Sequence, residues 1–205
     1  MKIKVVNNAE NIKVDMKNDA WGNVILTIEK DKEETKPKYL GDVKPGETIY
    51  LGDYKFIVLG HGAETTALVS ADCIYRMAYD GSDWRTSSIR DKLNTDFYGE
   101  MCRIVGEKNI IQHTTKLIAI DGSGSEINCL DKISMLTLDN YRRYSKFIVE
   151  NKESYWWLIT RNSYRNVAKE FTCVDTYGIP RLNLSTKYTS YGVRPFCILR
   201  SSVSI

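Results

Sequence analysis

The 205-residue chain carries 29 basic and 26 acidic residues, for a formal net charge of +3, with 42% hydrophobic and 27% charged residues. That length and apolar content suit one sizeable domain, with or without a small N-terminal module, and a core of that size needs no disulfides. The balanced, evenly spread charge excludes the basic footprint of a nucleic-acid-binding protein. No apolar run approaches the roughly 20 residues that span a bilayer, so a soluble protein without membrane insertion is expected.

Residues 1–30 read as a β-meander, because Ile3/Val5, Ile12/Val14/Met16 and Val24/Leu26/Ile28 alternate with period two. Asn7-Asn8 and Asn18-Asp19 punctuate it as turns, since both residue types tolerate left-handed backbone. So short a module buries little by itself and is expected to dock on the main body or on another chain, as an attachment arm. Residues 31–46 read as a charged connector around Pro37 and the turn Lys44-Pro45-Gly46-Glu47, and residues 47–205 as the domain proper. Three strands are expected at Thr48–Leu51, Tyr54–Leu59 and Thr66–Ser70. Gly60-His61-Gly62 has no following Lys-Ser or Lys-Thr pair and leads into a strand where a phosphate loop would open a helix, so it reads as a turn.

Ser87 is placed to cap a helix in which Ile89 and Leu93 stack one turn apart. Phe97 and Met101 repeat that spacing and Gly106 offers a stop, which predicts two short helices in series. Asp121-Gly122-Ser123-Gly124-Ser125-Glu126 spaces its oxygens as a calcium loop begins, but lacks the later carboxylates and reads as a flexible turn. A strand at Ile133–Leu136 precedes a helix that starts at Thr137 or Asp139 and runs through Tyr141 and Tyr144 toward Phe147. In the strand from Tyr155 to Arg161, alternation places one of Trp156 and Trp157 inside and the other facing outward. Val193–Leu199 reads as a closing strand. The pattern as a whole is α+β, short helices packed on antiparallel strands.

Catalytic chemistry has little to stand on. Cys73, Cys102, Cys129, Cys173 and Cys197 form an odd set with wide gaps and no C-x-x-C pair, as expected of buried thiols. His61 and His113 have no ligand-spaced neighbour for a catalytic zinc. No G-x-S-x-G elbow presents a serine. No catalytic residue, metal or cofactor is expected. A binding surface is better supported: Asn162, Tyr164, Arg165, Asn166, Tyr177, Arg181, Asn183, Tyr188 and Tyr191 combine large rigid contact area with adaptable hydrogen bonding. The alternative for about half of these tyrosines is that they roof the core.

Four blocks carry the rest. In the first, Trp84, Ser87, Arg90, Leu93, Asn94 and Phe97 join a helix cap to two core aromatics and an arginine suited to bonding buried carbonyls. The others are Asp131 to Thr137, Trp156 to Arg161, and Gly192-Val193-Arg194-Pro195. In this order they resemble domain-of-unknown-function family 6273 of Gram-positive bacteria and their phages, over about residues 47 to 200. The chain departs from the pattern at Ile159-Thr160, where the family more often has an arginine straight after the leucine.

That family resembles the C-type-lectin fold, as used by phage receptor-binding proteins and by formylglycine-generating enzymes. The resemblance implies a lectin-like, non-catalytic virion protein of tail, baseplate or capsid decoration. Its partners would be other particle proteins through residues 1–30, and a host-surface glycan or protein. The N-terminus lacks the apolar stretch of a secretory signal, so synthesis in a host cytoplasm and location in the virion are expected. Two alternatives stay open: a cysteine oxidase similar to formylglycine-generating enzymes, which needs two close thiols with one activated, and a cytoplasmic scaffold of a phage-like particle.

Overall fold

A computed structural model describes residues 12–18, 24–30, 38–148, 154–165, 170–183 and 190–205. The chain divides into residues 1–36 and residues 37–205. In the first unit, β1 (Ile12–Asn18) and β2 (Val24–Lys30) form an antiparallel pair in which Val14 lies opposite Ile28 and Met16 opposite Leu26. Its alternating text thus forms two of the three expected strands. The third, at Ile3/Val5, and the Asn7-Asn8 turn lie outside the described residues.

The second unit runs, in chain order, through β3 (Thr48–Leu51), β4 (Tyr54–His61), β5 (Thr65–Ser70), β6 (Tyr75–Ala78), α1 (Ser88–Lys92), α2 (Tyr98–Val105), β7 (Ile110–Ile111) and β8 (His113–Lys116). It continues with β9 (Asn128–Asp131), β10 (Ile133–Ser134), α3 (Leu138–Tyr144), β11 (Trp156–Arg161), β12 (Phe171–Val174), β13 (Pro180–Asn183), β14 (Ser190–Val193) and β15 (Phe196–Arg200). One sheet has the order β10-β15-β5-β4-β3, with β7 also paired to β15; a second has the order β13-β12-β11-β14-β6; β8 and β9 pair separately. Pairing is antiparallel except where β11 meets β14 in parallel at Trp156 and Gly192. This is an α+β body. None of its described helices is long and apolar enough to cross a membrane.

The body begins before residue 47. Leu40 and Val43 are buried, and the amides of Leu40 and Gly41 donate to the carbonyls of Val203 and Ser201 at 2.8 and 2.9 Å. Residues 38–46 are therefore part of the fold and not a connector, because two apolar side chains and a backbone pairing with the C-terminus hold them down.

The helical text forms as expected at its ends and differently in its middle. The Ser87 hydroxyl accepts from the Arg90 amide at 3.2 Å, and Gly106, at φ 82°, ends α2. Between α1 and α2 the chain does not break: Leu93–Phe97 is a π-helical turn, so the two expected helices form one continuous run. The Thr137 hydroxyl caps α3 by accepting from the Asn140 amide at 3.1 Å, and a 3₁₀ turn at Ser145–Phe147 extends it.

Strand β11 corrects the expectation of one outward tryptophan. Trp156 and Trp157 are 1% and 0% exposed. Alternation does send them to opposite faces, but β11 is the middle strand of its sheet and both faces are covered. Trp157 and Ile159 join Trp84, Phe97 and Phe171 in one apolar cluster, whereas Trp156 and Leu158 join Ile57, Leu59 and Tyr141 in another.

The expected closing strand also divides. Gly192 and Val193 end β14 in the second sheet, and Phe196 begins β15 in the first. Pro195 has no N–H to continue a ladder, while its carbonyl accepts from the Ser70 amide at 2.8 Å. Arg194, fully buried at the crossing, donates from Nε to the Ser70 carbonyl at 2.9 Å and lies 4.8 Å from the Trp156 ring centroid. Burial pulls its pKa down to about 10, which still leaves a cation at neutral pH.

Gly192 is required by close approach. A Cβ there would collide with the Cys73 sulfur and come within 3.3 Å of the Trp156 Cβ. Gly192→Ala is expected to cost about 1–3 kcal/mol in urea unfolding, the usual range for overpacking a core. An unchanged midpoint would show that the two sheets have more room at this crossing than the geometry allows.

Candidate functional site

The first and second motif blocks meet on one carboxylate. Asp131, 1% exposed at the end of β9, accepts from the Trp84 indole at 2.9 Å, from Arg90 Nε at 2.7 Å and from the Thr115 hydroxyl at 2.7 Å. Arg90 also reaches the Leu130 carbonyl at 3.1 Å, so its fork bonds both a carboxylate and the carbonyl type expected of it. Asn94, on the π-helical turn, uses its whole amide. Its oxygen accepts from the amides of Lys132 and Ile133 at 3.0 and 3.1 Å, and its nitrogen donates to the carbonyls of Arg90 and Ile133 at 3.0 and 2.8 Å. Trp84, Ser87, Arg90, Leu93, Asn94 and Phe97 thus act as a structural unit that locks the helices to β9 and β10.

The third block is tied in by Arg161. Its guanidinium donates to the Ser82 carbonyl at 2.6 Å and lies 4.7 Å from the centre of the Tyr164 ring. Tyr164 is half-buried over Gly124, where φ is 74° and a Cβ would sit 2.5 Å from the ring. Asp121 closes this corner. Its carboxylate accepts from the Ser123 hydroxyl at 2.5 Å, the Ser163 hydroxyl at 2.7 Å and the Ser123 amide at 3.0 Å. These bonds hold its pKa down at about 2. The Asp121–Glu126 segment is therefore a turn whose leading carboxylate is spent on the neighbouring loop. Among the described residues no group of His, Cys, Asp and Glu is arranged to hold a metal ion.

The candidate binding residues do not form one patch. Asn162, Tyr164 and Arg165 stand beside the Asp121 turn, and the Asn162 amide donates to Glu170. Tyr191 is half-buried on β14, its ring 4.7 Å from Trp157 and 5.2 Å from Tyr155. Tyr164 and Tyr191 therefore roof the core. Tyr177, Arg181 and Asn183 belong to the β12–β13 hairpin, two strands away from β14 in the sheet. Asn166 and Tyr188 lie outside the described residues.

The hairpin is the displayed part. Asp175, 2% exposed, accepts from the amides of Tyr177 and Ile179 and from Arg181 Nε, each at 2.9 Å. Burial opposes its ionisation, and these donors outweigh it, so its pKa lies below the ordinary value. Behind the turn, the Tyr141 hydroxyl donates to the Gly178 carbonyl at 2.7 Å. In front, Tyr177 is 77% exposed, Ile179 46% and Leu182 47%. Ile179 and Leu182 were not among the expected binding residues. Nothing in their local text distinguishes an aliphatic residue on an open edge from one in a core strand.

Of the five thiols expected to be buried, Cys129, Cys173 and Cys197 are, whereas Cys73 and Cys102 are half-buried. None of the five cysteines is in a disulfide. Burial pushes the thiols of Cys129 and Cys173 up to about 11, with Asp131 and Asp175 adding to it, and that of Cys197 to about 12. His61 bridges the Thr66 hydroxyl and the Val43 carbonyl at 2.9 and 2.8 Å. His113 stands 2.9 Å from the Ser134 hydroxyl beside a cavity lined also by Thr115, Thr137 and Thr160. Sequence text did not suggest this cavity, because its walls come from four separate stretches of the chain.

Asp131→Ala leaves the Arg90 charge without its carboxylate and the Trp84 indole without an acceptor, and is expected to cost about 3–5 kcal/mol in equilibrium unfolding. Asp121 works on the acid side. Its pKa is depressed, so its contribution is complete above the ordinary value of 3.8 and is lost as pH falls toward about 2. Asp121→Asn should therefore flatten the fall in melting temperature across that window and leave its slope at neutral pH unchanged.

Set against protein-family models, curated proteins and solved structures, the chain has no match in any of the three.

Proposed function

We propose that this chain is a non-catalytic recognition or assembly protein whose contact surface is the hairpin from Asp175 to Asn183. The observation that carries the reading is the combination of rigidity and exposure there. A buried carboxylate and the Tyr141 hydroxyl fix the turn, while Tyr177, Ile179 and Leu182 project from it. Among the described residues β13 is the last strand of its sheet, so one of its backbone edges carries no partner strand. Edge strands of this kind are normally guarded by charge or proline. Here Pro180 only opens the strand and Arg181 is held by Asp175, which leaves aliphatic and aromatic surface suited to another protein.

The order of the four motif blocks supports the finer setting: a lectin-like body in a phage tail, baseplate or capsid-decoration protein, with residues 1–30 as the attachment arm. Burial and a raised pKa weigh against Cys129, Cys173 or Cys197 as the nucleophile of a cysteine oxidase, since a thiolate nucleophile needs a lowered pKa.

Tyr177→Ala combined with Leu182→Ser alters only exposed side chains and should change stability by no more than about 0.5 kcal/mol. In particles assembled in the native host, the double variant is expected at less than about a tenth of the wild-type occupancy, as for loss of contact hot spots. Deleting residues 1–30 should leave the body folded and likewise abolish incorporation. Wild-type occupancy by the double variant would rule out the hairpin as the contact surface, and wild-type occupancy by the truncated chain would rule out the arm.

A further inference from the structure

The cavity beside His113 is lined by none of the hairpin's residues. Its floor is built from buried groups: Ser134 on β10, Thr115 on β8 and Thr160 on β11, which are 2%, 5% and 6% exposed. Its mouth carries Thr114, Lys116 and Asp139, all exposed. The volume is about 210 Å³. A cavity of roughly 150 Å³ admits a benzene-sized ring, so a six-membered ring with several substituents fits this one.

The lining has a consistent chemistry. The Thr160 hydroxyl accepts from the Leu138 amide at 2.9 Å, and the Thr137 hydroxyl accepts from the Asn140 amide at 3.1 Å. Each has already satisfied a backbone donor and keeps its own proton to donate. His113 and Ser134 form a pair at 2.9 Å in which either partner can donate. Burial holds His113 below its ordinary pKa, against the opposing pull of Asp131 and the Ile111 backbone, which favours the neutral ring. The Asn140 carboxamide adds a donor and an acceptor at the rim. Most of these groups can both give and receive a hydrogen bond, as ligand hydroxyls do. Phe196, Met135 and Ile118 supply an apolar wall. The single cation and single anion at the mouth, Lys116 and Asp139, cancel and select no net charge.

We propose that this cavity binds a small, uncharged, polyhydroxylated ring, with Thr137, Thr160, Asn140 and the His113–Ser134 pair bonding its hydroxyls and Phe196 and Met135 facing its C–H surface. The mode is a concave, partly apolar site with a few convergent polar groups. It does not depend on the hairpin being a contact surface.

The test is a titration of the full chain, labelled with nitrogen-15, with glucose, galactose, mannose and N-acetylglucosamine at millimolar concentrations, and with sodium acetate as a charged control. At least one sugar is expected to give saturable amide shifts confined to residues 113–118, 134–140 and 160, with none from acetate. Asn140→Leu should weaken that binding about tenfold, the worth of one lost hydrogen bond to the ligand. Thr114→Ile at the exposed rim provides a second variant whose folding is not in question. It should weaken binding by steric blockage. The proposal is overturned if no sugar gives saturable shifts, if the shifts map elsewhere, if acetate binds there instead, or if both variants bind as the wild type does.

Discussion

One buried carboxylate organises the body. Asp131 sits where the helical run, β8 and β9 converge, and it accepts from Trp84 and Arg90 of the first block, from Thr115 on β8 and from the Cys129 thiol on β9. A carboxylate taken out of water is costly unless its lone pairs are met. The indole, the guanidinium and the hydroxyl meet them, and in doing so fix where the helices, β8 and the turn before β10 must lie. Asn94 repeats the principle with backbone groups, binding β10 to the π-helical turn through both ends of its amide.

The second organising feature is the crossing between sheets. A strand covered on both faces has to be apolar throughout, and Trp156, Trp157, Leu158 and Ile159 meet that requirement by sending alternate side chains to two different clusters. The chain then leaves one sheet and enters the other at Arg194-Pro195. Proline ends the ladder, and the arginine fills the gap with a flat cation against an indole face. Gly192 completes the arrangement by having no side chain at the point where Cys73 comes closest. Glycine, arginine and proline stand together there because a close approach, a buried flat cation and a ladder stop are needed within four residues.

Against this rigid interior, the exposed apolar groups of the hairpin stand out. Tyrosine can serve either as roof or as display, and both uses occur. Tyr164 and Tyr191 lie on Arg161 and Trp157, whereas Tyr177 stands in water on a turn held by Asp175. The same device, a carboxylate accepting from nearby backbone amides and side chains, shapes the Asp121 turn and the hairpin turn. It fixes the backbone of turns that few apolar contacts would otherwise hold.

The chain's own text determined the α+β class, the cap at Ser87, the stop at Gly106, the strands β3 to β5 and the burial of Cys129, Cys173 and Cys197, though not the half-exposure of Cys73 and Cys102. All of these are decided within a few residues by backbone preference, hydrogen-bond chemistry or period. It also marked Trp84, Arg90 and Asn94 as a unit without naming their partners, since Asp131, Lys132 and Ile133 are far along the chain. Only the tertiary structure decided that both tryptophans of β11 are inside, that Val193–Leu199 is two strands, that residues 38–46 belong to the body, and which tyrosine is displayed. It alone assembled the cavity at His113. Whether a face is covered, and which distant segments share a wall, depends on what packs against it, and period-two alternation reads the same for a strand open on one side as for one buried on both.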